Sequence, residues 1–373
     1  MNDAILVTGA RGFVGKNLVQ WLMQEDPRRE VLCYDVADSP ARLREYVSRA
    51  GFVFHLAGVN RPQDPEEFDT GNRGFTQELL DLLLTQERPV PVVLSSSIQA
   101  ERENPYGRSK RAAEEAVFAY GERSGAPVYV YRLPNLFGKW CRPNYNSVVA
   151  TFCHNIARGL PVTVNDPSAR LSLVYIDDLC REFLRALAGR PHQRDRYCGV
   201  YPEYPITVAD LELTLRFFAE SRENRLVPHL DPDGLTAKLY AAYLSYLPED
   251  GFAYPLLTHA DERGSFTEFL RTPDRGQVSV NVAKPGVTKG NHWHHTKNEK
   301  FLVVKGEGLI RFRRVGQEDV TEYRVSGERL MVVDIPTGYT HSITNVGRDD
   351  LVTVMWASES FDPLHPDTFY EEV

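Results

Sequence analysis

The chain has 373 residues, so two domains are expected, because single cores stop growing near roughly 250–300 residues. Hydrophobic residues make up 42%, enough for packed cores, and the formal net charge of −8 argues against nucleic acid or an anionic membrane surface as a partner. No apolar run reaches the roughly 18 residues of a membrane span, so no membrane partner is expected.

The chain opens on a buried strand, Ile5–Thr8. Gly9, Gly12 and Gly15 follow it, and a helix-like stretch, Asn17–Met23, follows them. In that context the three glycines read as a dinucleotide-binding loop. Gly9 allows the tight turn, Gly12 lets a pyrophosphate approach the backbone, and Gly15 lets helix and strand pack closely. Arg11, Phe13 and Val14 lie in the same loop, where helix N–H groups face the phosphates. A second strand, Val31–Tyr34, ends at Asp35, placed to accept from the ribose hydroxyls of NAD and to repel a 2′-phosphate. Strands Phe52–Leu56, Val90–Ser95 and Val128–Arg132 alternate with helical stretches Thr76–Thr85 and Ser109–Gly121. This alternation predicts an α/β Rossmann-type fold, a doubly wound parallel sheet.

From Asp210 to Tyr246 the pattern is helical and broken by prolines, and reads as a connector. The expected domains are therefore 1–246 and 247–373. Beyond Gly251, short runs recur between turn residues: Gln277–Ala283, Lys300–Lys305, Gly308–Arg314, Glu322–Val325, Arg329–Ile335, His341–Asn345 and Leu351–Trp356. They predict an all-β barrel or jelly roll. The N-terminus enters a strand at once, without a basic region and apolar core like those of a signal peptide. The five cysteines are scattered without a Cys-x-x-Cys pair, which suits a reducing cytoplasm.

Two constellations carry chemistry. Tyr106 and Lys110 stand four apart, on one side of a helix if the segment opens one. An ammonium near a phenol lowers its pKa, so that the phenol can exchange protons at neutral pH as a hydride reaches a carbonyl. The preceding Ser95–Ser97 run offers a hydroxyl to that carbonyl oxygen. The second constellation is His292-x-His294, Glu299 and the distant His341. Residues 292 and 294 of one strand point to one side. Three imidazoles and a carboxylate suit Zn²⁺, with Fe²⁺, Mn²⁺ and Ni²⁺ as alternatives.

The first half resembles the extended short-chain dehydrogenase/reductase family. The resemblance rests on Thr8-Gly9-x-x-Gly12-x-x-Gly15, Leu56-Ala57-Gly58, the serine run, Tyr106-x-x-x-Lys110, Arg132-x-x-Asn135-x-x-Gly138 and Tyr175-Ile176-Asp177-Asp178. It implies a nicotinamide cofactor, a sugar-nucleotide substrate, Ser97 (or Ser96) as the catalytic hydroxyl, and Leu56, Ala57, Gly58, Lys110 and Asn135 at the cofactor. The family's diphosphate arginine is replaced by Leu171, with Arg170 one step away; Arg142 and Lys139 are alternatives. The second half resembles the cupin superfamily through Gly286-x5-His292-x-His294-x4-Glu299-x6-Gly306 and Pro336-x-Gly338-x-x-His341-x3-Asn345.

The fusion, with strings such as 55–62, 94–100, 261–269 and 288–304, resembles a family of capsular-polysaccharide reductase–epimerases. That resemblance implies a cytoplasmic homodimer acting on a UDP-2-acetamido-2,6-dideoxy-4-hexulose. The cupin domain would epimerise C3, with Lys300, His295 and Tyr339 as candidate acids and bases. The reductase domain would then reduce C4, giving UDP-2-acetamido-2,6-dideoxy-L-talose. The family implies NADPH; Asp35, in a loop without arginine, implies NADH. Two alternatives stay open here: a reductase whose cupin domain only supports dimerisation, and a dinucleotide-binding sensor.

Overall fold

The computed structural model describes residues 4–60, 64 and 66–373; Arg61 and Pro62, which close the first of the matched strings, lie outside the described residues. The chain divides into two compact units: residues up to Leu215 with Lys238–Leu247, and Arg216–Ala237 with Pro248–Val373. The last crossing falls one residue from the 246/247 boundary drawn from sequence. The two earlier crossings lie within the stretch read as a connector.

The first unit begins β1 (Ala4–Thr8), α1 (Phe13–Glu25), β2 (Val31–Tyr34), α2 (Pro40–Arg49) and β3 (Ala50–His55). A single turn, α3 (Glu66–Phe68), runs through a π-helical segment, Asp69–Gly74, into α4 (Phe75–Leu84). Then come β4 (Val92–Ser97), α5 (Pro105–Ser124), β5 (Val128–Leu133), β6 (Asn135–Phe137), α6 (Val148–Ile156), β7 (Arg170–Tyr175) and α7 (Ile176–Leu187). Short strands β8 (Gln193–Arg194), β9 (Tyr197–Cys198) and β10 (Tyr204–Thr207) precede α8 (Val208–Asn224) and α9 (Leu235–Leu244).

The main sheet has the order β2-β1-β3-β4-β5-β9-β8, and β1 to β5 are parallel. Helices cover both faces, as the doubly wound reading requires. Along β1, Ala4 and Leu6 pack with Leu43 of α2 and Val117 of α5, while Ile5 and Val7 pack with Leu18 of α1 and Phe183 of α7. Such strands read as continuous apolar runs because they are buried on both sides. The strand order reverses at β1/β3, and the crevice beyond their carboxyl ends is where doubly wound sheets take ligands. A small sheet, β10-β7-β6, completes this unit.

The second unit contains β11 (Thr258–Asp261), β12 (Gly264–Thr272), β13 (Gly276–Ala283), β14 (Thr288–Trp293), β15 (Glu299–Lys305) and β16 (Glu307–Arg314). It continues with β17 (Val320–Ser326), β18 (Val332–Ile335), β19 (Tyr339–Asn345), β20 (Leu351–Ala357) and β21 (Phe369–Tyr370). These form two antiparallel sheets, β11-β12-β13-β20-β15-β18 and β17-β16-β19-β14-β21. Phe301 and Ile335 of one sheet and Ile310, Phe312 and Ile343 of the other form a shared apolar core. Sequence reading missed β11, β12 and β21, and the strand on which it placed both His292 and His294, β14, ends at Trp293, one residue before His294. β11 is exposed throughout, and β14 (Thr-Lys-Gly-Asn-His-Trp) has almost no apolar alternation to detect.

Candidate functional site

The crevice of the first unit is a cavity of about 930 Å³. Every nucleotide-site residue expected from sequence lines it: Gly9, Arg11, Gly12, Phe13, Val14, Asp35, Leu56, Ala57, Gly58, Asn135, Ser97, Tyr106 and Lys110. Sterics explain the glycines. Gly9 has φ +68°, and a Cβ there would lie 2.8 Å from the Ala57 nitrogen. At Gly15, in the first turn of α1, it would lie 2.2 Å from the Gly9 carbonyl oxygen. At Gly58 it would lie 3.0 Å from Lys110 Nζ, so this glycine makes room for the lysine. Asp35 Oδ2 accepts from the Arg11 backbone N–H at 2.7 Å, which ties the end of β2 to the glycine loop.

Helix α5 starts where the Tyr/Lys spacing needs it to. Asn104 caps it, accepting from the Gly107 N–H at 2.7 Å, and Pro105 occupies the first turn. Tyr106 donates its hydroxyl to Asn60 Oδ1 at 3.1 Å. Lys110 Nζ donates to the Ser95 carbonyl at 3.2 Å. The expected lowering of the Tyr106 pKa by Lys110 is absent: burial pushes the phenol up, and the Ser97 hydroxyl opposes that only in part. Burial also pushes Lys110 down to about 8, against the pull of Glu114. Ser96 is occupied elsewhere, donating to the buried Glu114 at 2.5 Å, which leaves Ser97 as the candidate hydroxyl. Of the proposed diphosphate contacts, Lys139 is paired with Asp177 at 2.6 Å and does not line the cavity, whereas Arg142 does.

In the second unit, His292, His294, Glu299 and His341 converge. Each offers one ligand atom, and these atoms lie within 4.8 Å of one another. His292 on β14 pairs with His341 on β19, next to a bulge at Asn291. His294 Nδ1 donates to the Asp367 carbonyl at 2.6 Å, which leaves its Nε2 lone pair facing the cluster. The Asp367 carboxylate also accepts from the backbone N–H groups of His295, Thr296 and Lys297. His294 Nε2, Glu299 Oε2 and both nitrogens of His341 are buried without a hydrogen-bond partner. Orphaned ligand atoms within 4.8 Å of one another fit a small divalent cation, whose bonds to nitrogen and oxygen run about 2.0–2.2 Å. Burial pushes His292 down to about 4, so it is neutral and able to ligate near pH 7. Burial alone would raise Glu299, but His294 and His341 beside it hold its carboxyl well below the usual range.

The cluster opens on a cavity of about 860 Å³. None of the three acid–base candidates read from sequence lines it. Lys300 is exposed and paired with Asp334, His295 packs on Trp293 and Phe369, and Tyr339 packs against the apolar core.

Residues 5–197 match the model of the NAD dependent epimerase/dehydratase family, and residues 259–369 match that of the polysaccharide biosynthesis C-terminal domain. The chain belongs to the NAD dependent epimerase/dehydratase family. It is 47% identical to the UDP-2-acetamido-2,6-beta-L-arabino-hexul-4-ose reductase of Pseudomonas aeruginosa, over 98% of this chain and 97% of that protein. It is also similar to the capsular polysaccharide assembling protein CapF of Staphylococcus aureus, with TM-score 0.92 and 49% identity over 99% of this chain and 100% of that one. Thermus thermophilus UDP-glucose 4-epimerase, solved with NAD, shares the fold at 20% identity and TM-score 0.52, over 65% of this chain and 98% of that one.

This member of the epimerase/dehydratase family carries further site residues that sequence reading missed. Asn72, in the π-helical segment, donates to the Val59 carbonyl and to Ser109 Oγ and accepts from the Val59 N–H, which fixes the loop beside Lys110. Its glycine-flanked setting looks like a turn in sequence. Beneath the site, His55 bridges Thr8 Oγ1 at 2.7 Å and Thr76 Oγ1 at 2.8 Å. Burial, with Lys110 adding to it, pushes His55 down to about 3, against about 6.5 when unfolded. Between these values only the unfolded chain binds the proton. This contribution to stability is full above pH 6.5 and falls with acidification by up to ~1.4 kcal/mol per pH unit. The His55→Asn variant is expected to show a shallower acid slope in urea unfolding; an unchanged slope refutes the assignment.

Proposed function

We propose that the chain is a bifunctional sugar-nucleotide enzyme. Its substrate is a UDP-2-acetamido-2,6-dideoxy-4-hexulose. The second unit, a cupin, epimerises C3, and the first unit reduces C4 to UDP-2-acetamido-2,6-dideoxy-L-talose for capsule synthesis. The observation that carries this reading is the His/Glu cluster opening on a cavity of its own. The other unit already holds a nucleotide loop, a tyrosine, a lysine and a serine.

In the first unit, Ser97 orients the ketone oxygen and the Tyr106 phenol passes a proton to it, while the Lys110 ammonium lies behind. The nicotinamide supplies the hydride. In the second unit, His292, His294, Glu299 and His341 would hold Zn²⁺. A divalent cation there supplies Lewis-acid polarisation of the carbonyl oxygen. The C3 proton is acidic only while C4 is a ketone, so epimerisation precedes reduction. Cytoplasmic location and a homodimer belong to the same reading; among the described residues no helix is long and apolar enough to cross a membrane.

Asp35 favours NADH through the ribose hydroxyls, whereas Arg11 beside it in the same cavity offers a cation to a 2′-phosphate. The Asp35→Ala variant is expected to raise kcat/KM with NADPH relative to NADH by about tenfold, the scale of one charged contact. An unchanged ratio makes Asp35 a bystander.

The whole reading is tested with purified protein, the hexulose and NAD(P)H in deuterated water. The expected product carries deuterium at C3, inverted configuration there and a C4 hydroxyl. Reduction without C3 inversion or exchange supports instead a reductase with a structural second unit.

A further inference from the structure

Strand β13 is inverted relative to an ordinary strand of a two-sheet core. Alternate residues point to opposite faces. Gln277, Ser279 and Asn281 lie on one face and are 8%, 3% and 4% exposed; Val278, Val280 and Val282 lie on the other and are less buried. Burying polar side chains costs free energy unless they find partners. The register shows what the polar row faces. Gln277 pairs with Ala357 of β20, and Ala357 pairs with Glu299 of β15. The three share one face, so Gln277 stands two strands, about 10 Å, from the candidate metal ligand. The alanine between them adds little bulk, and Gln277, Ser279, Asn281 and Glu299 all line the same cavity.

The hydrogen bonds give the row a polarity. Lys289, from the opposite sheet, donates to Asn281 Oδ1 at 2.8 Å and to the Val282 carbonyl at 2.8 Å. An ammonium can only donate, so the amide atom facing it is oxygen and the Asn281 NH₂ is turned away from it. Gln277 Oε1 accepts from the Phe361 N–H at 3.0 Å, which leaves the Gln277 NH₂ free in the same way. The Ser279 hydroxyl has no protein partner among the described residues. The row therefore presents unspent donors, on residues that are themselves largely buried, to the cavity that Glu299 also lines.

We propose that Gln277, Ser279 and Asn281, the last oriented by Lys289, form a donor-rich subsite for the acetamido carbonyl and ring oxygens of a sugar whose ketone lies at the His/Glu cluster. This inference rests on reading that cluster as the epimerisation centre. Recognition then requires an acetamido group or comparable acceptor on the substrate's far side.

The test uses full-length protein loaded with Co²⁺, whose visible spectrum reports ligands only at the cluster. Titrating UDP-2-acetamido-2,6-dideoxy-4-hexulose is expected to perturb the wild-type spectrum. The Ser279→Ala and Asn281→Asp variants are expected to take up Co²⁺ normally and to bind the sugar nucleotide about tenfold more weakly. KM for C3 deuterium exchange should rise in step, with kcat little changed. Ser279→Ala removes one hydroxyl and no protein contact, so folding does not confound it. If the wild-type spectrum responds and both variants bind as tightly, the subsite is overturned while the cluster stands. If the wild type takes up no Co²⁺, or its spectrum ignores the sugar nucleotide, the underlying reading of the cluster fails and the subsite with it.

Discussion

Replacing Tyr106 with phenylalanine is expected to lower hexulose-dependent NAD(P)H oxidation by about 10²–10⁴-fold, the usual contribution of a positioned proton donor. Solvent exchange at C3 should continue at the wild-type rate. The phenol's protonation state decides this outcome. Burial holds it above its ordinary value, so at neutral pH it carries the proton it must deliver. Its partner in this structure is Asn60, a surface amide whose contact a substrate oxygen can replace. The variant removes one hydroxyl and no buried contact of the sheet, so nucleotide binding is the control. NAD(P)H should still bind, with its reduced spectrum unchanged by added hexulose. Reduction surviving in the variant would remove Tyr106 from the donor role and direct attention to Tyr145, which lines the same cavity.

How far the site was legible depends on whether the signal was local. The glycine loop was legible because its constraint is steric and confined to seven residues: a side chain at Gly9 or Gly15 collides with backbone. Tyr106 and Lys110 were legible because one helical turn relates them. The metal candidates were legible because imidazoles repeat at strand spacing, although β14 itself looked unlike a strand. What escaped was non-local. Asp367 caps the loop after His294 from some 70 residues downstream, and no pattern near either marks the contact. Asn72 acts through a π-helical segment that sequence patterns do not distinguish from a turn. The pKa of Tyr106 was misjudged because spacing gives proximity along a helix but not burial. Lys300 follows Glu299 along β15, where adjacent residues face opposite ways, and His295 lies beyond the end of β14, packed on Trp293 and Phe369.

Replacing His341 with leucine should separate the two proposed activities from the other side. His341 is fully buried with both ring nitrogens unpartnered, and each such group costs about 1–3 kcal/mol when nothing occupies it. A cation held at the cluster would satisfy one of them, and stripping it would expose the cost. Chelation is therefore expected to lower the wild-type Tm by several degrees. The His341→Leu protein should show little or no Tm response to chelator or to added Zn²⁺, and as an apolar replacement in a closed site it should be no less stable than stripped wild type. Its C3 exchange should fall by at least about 100-fold, the upper end of what losing even an outer-shell partner of a metal costs. Reduction of a ketone already inverted at C3 should proceed unchanged, because Tyr106, Lys110 and Ser97 belong to the other unit. Exchange at the wild-type rate in a variant that binds no metal would show that the cluster only holds the sheets together. The carbonyl would then have to be polarised by donors elsewhere in the cavity.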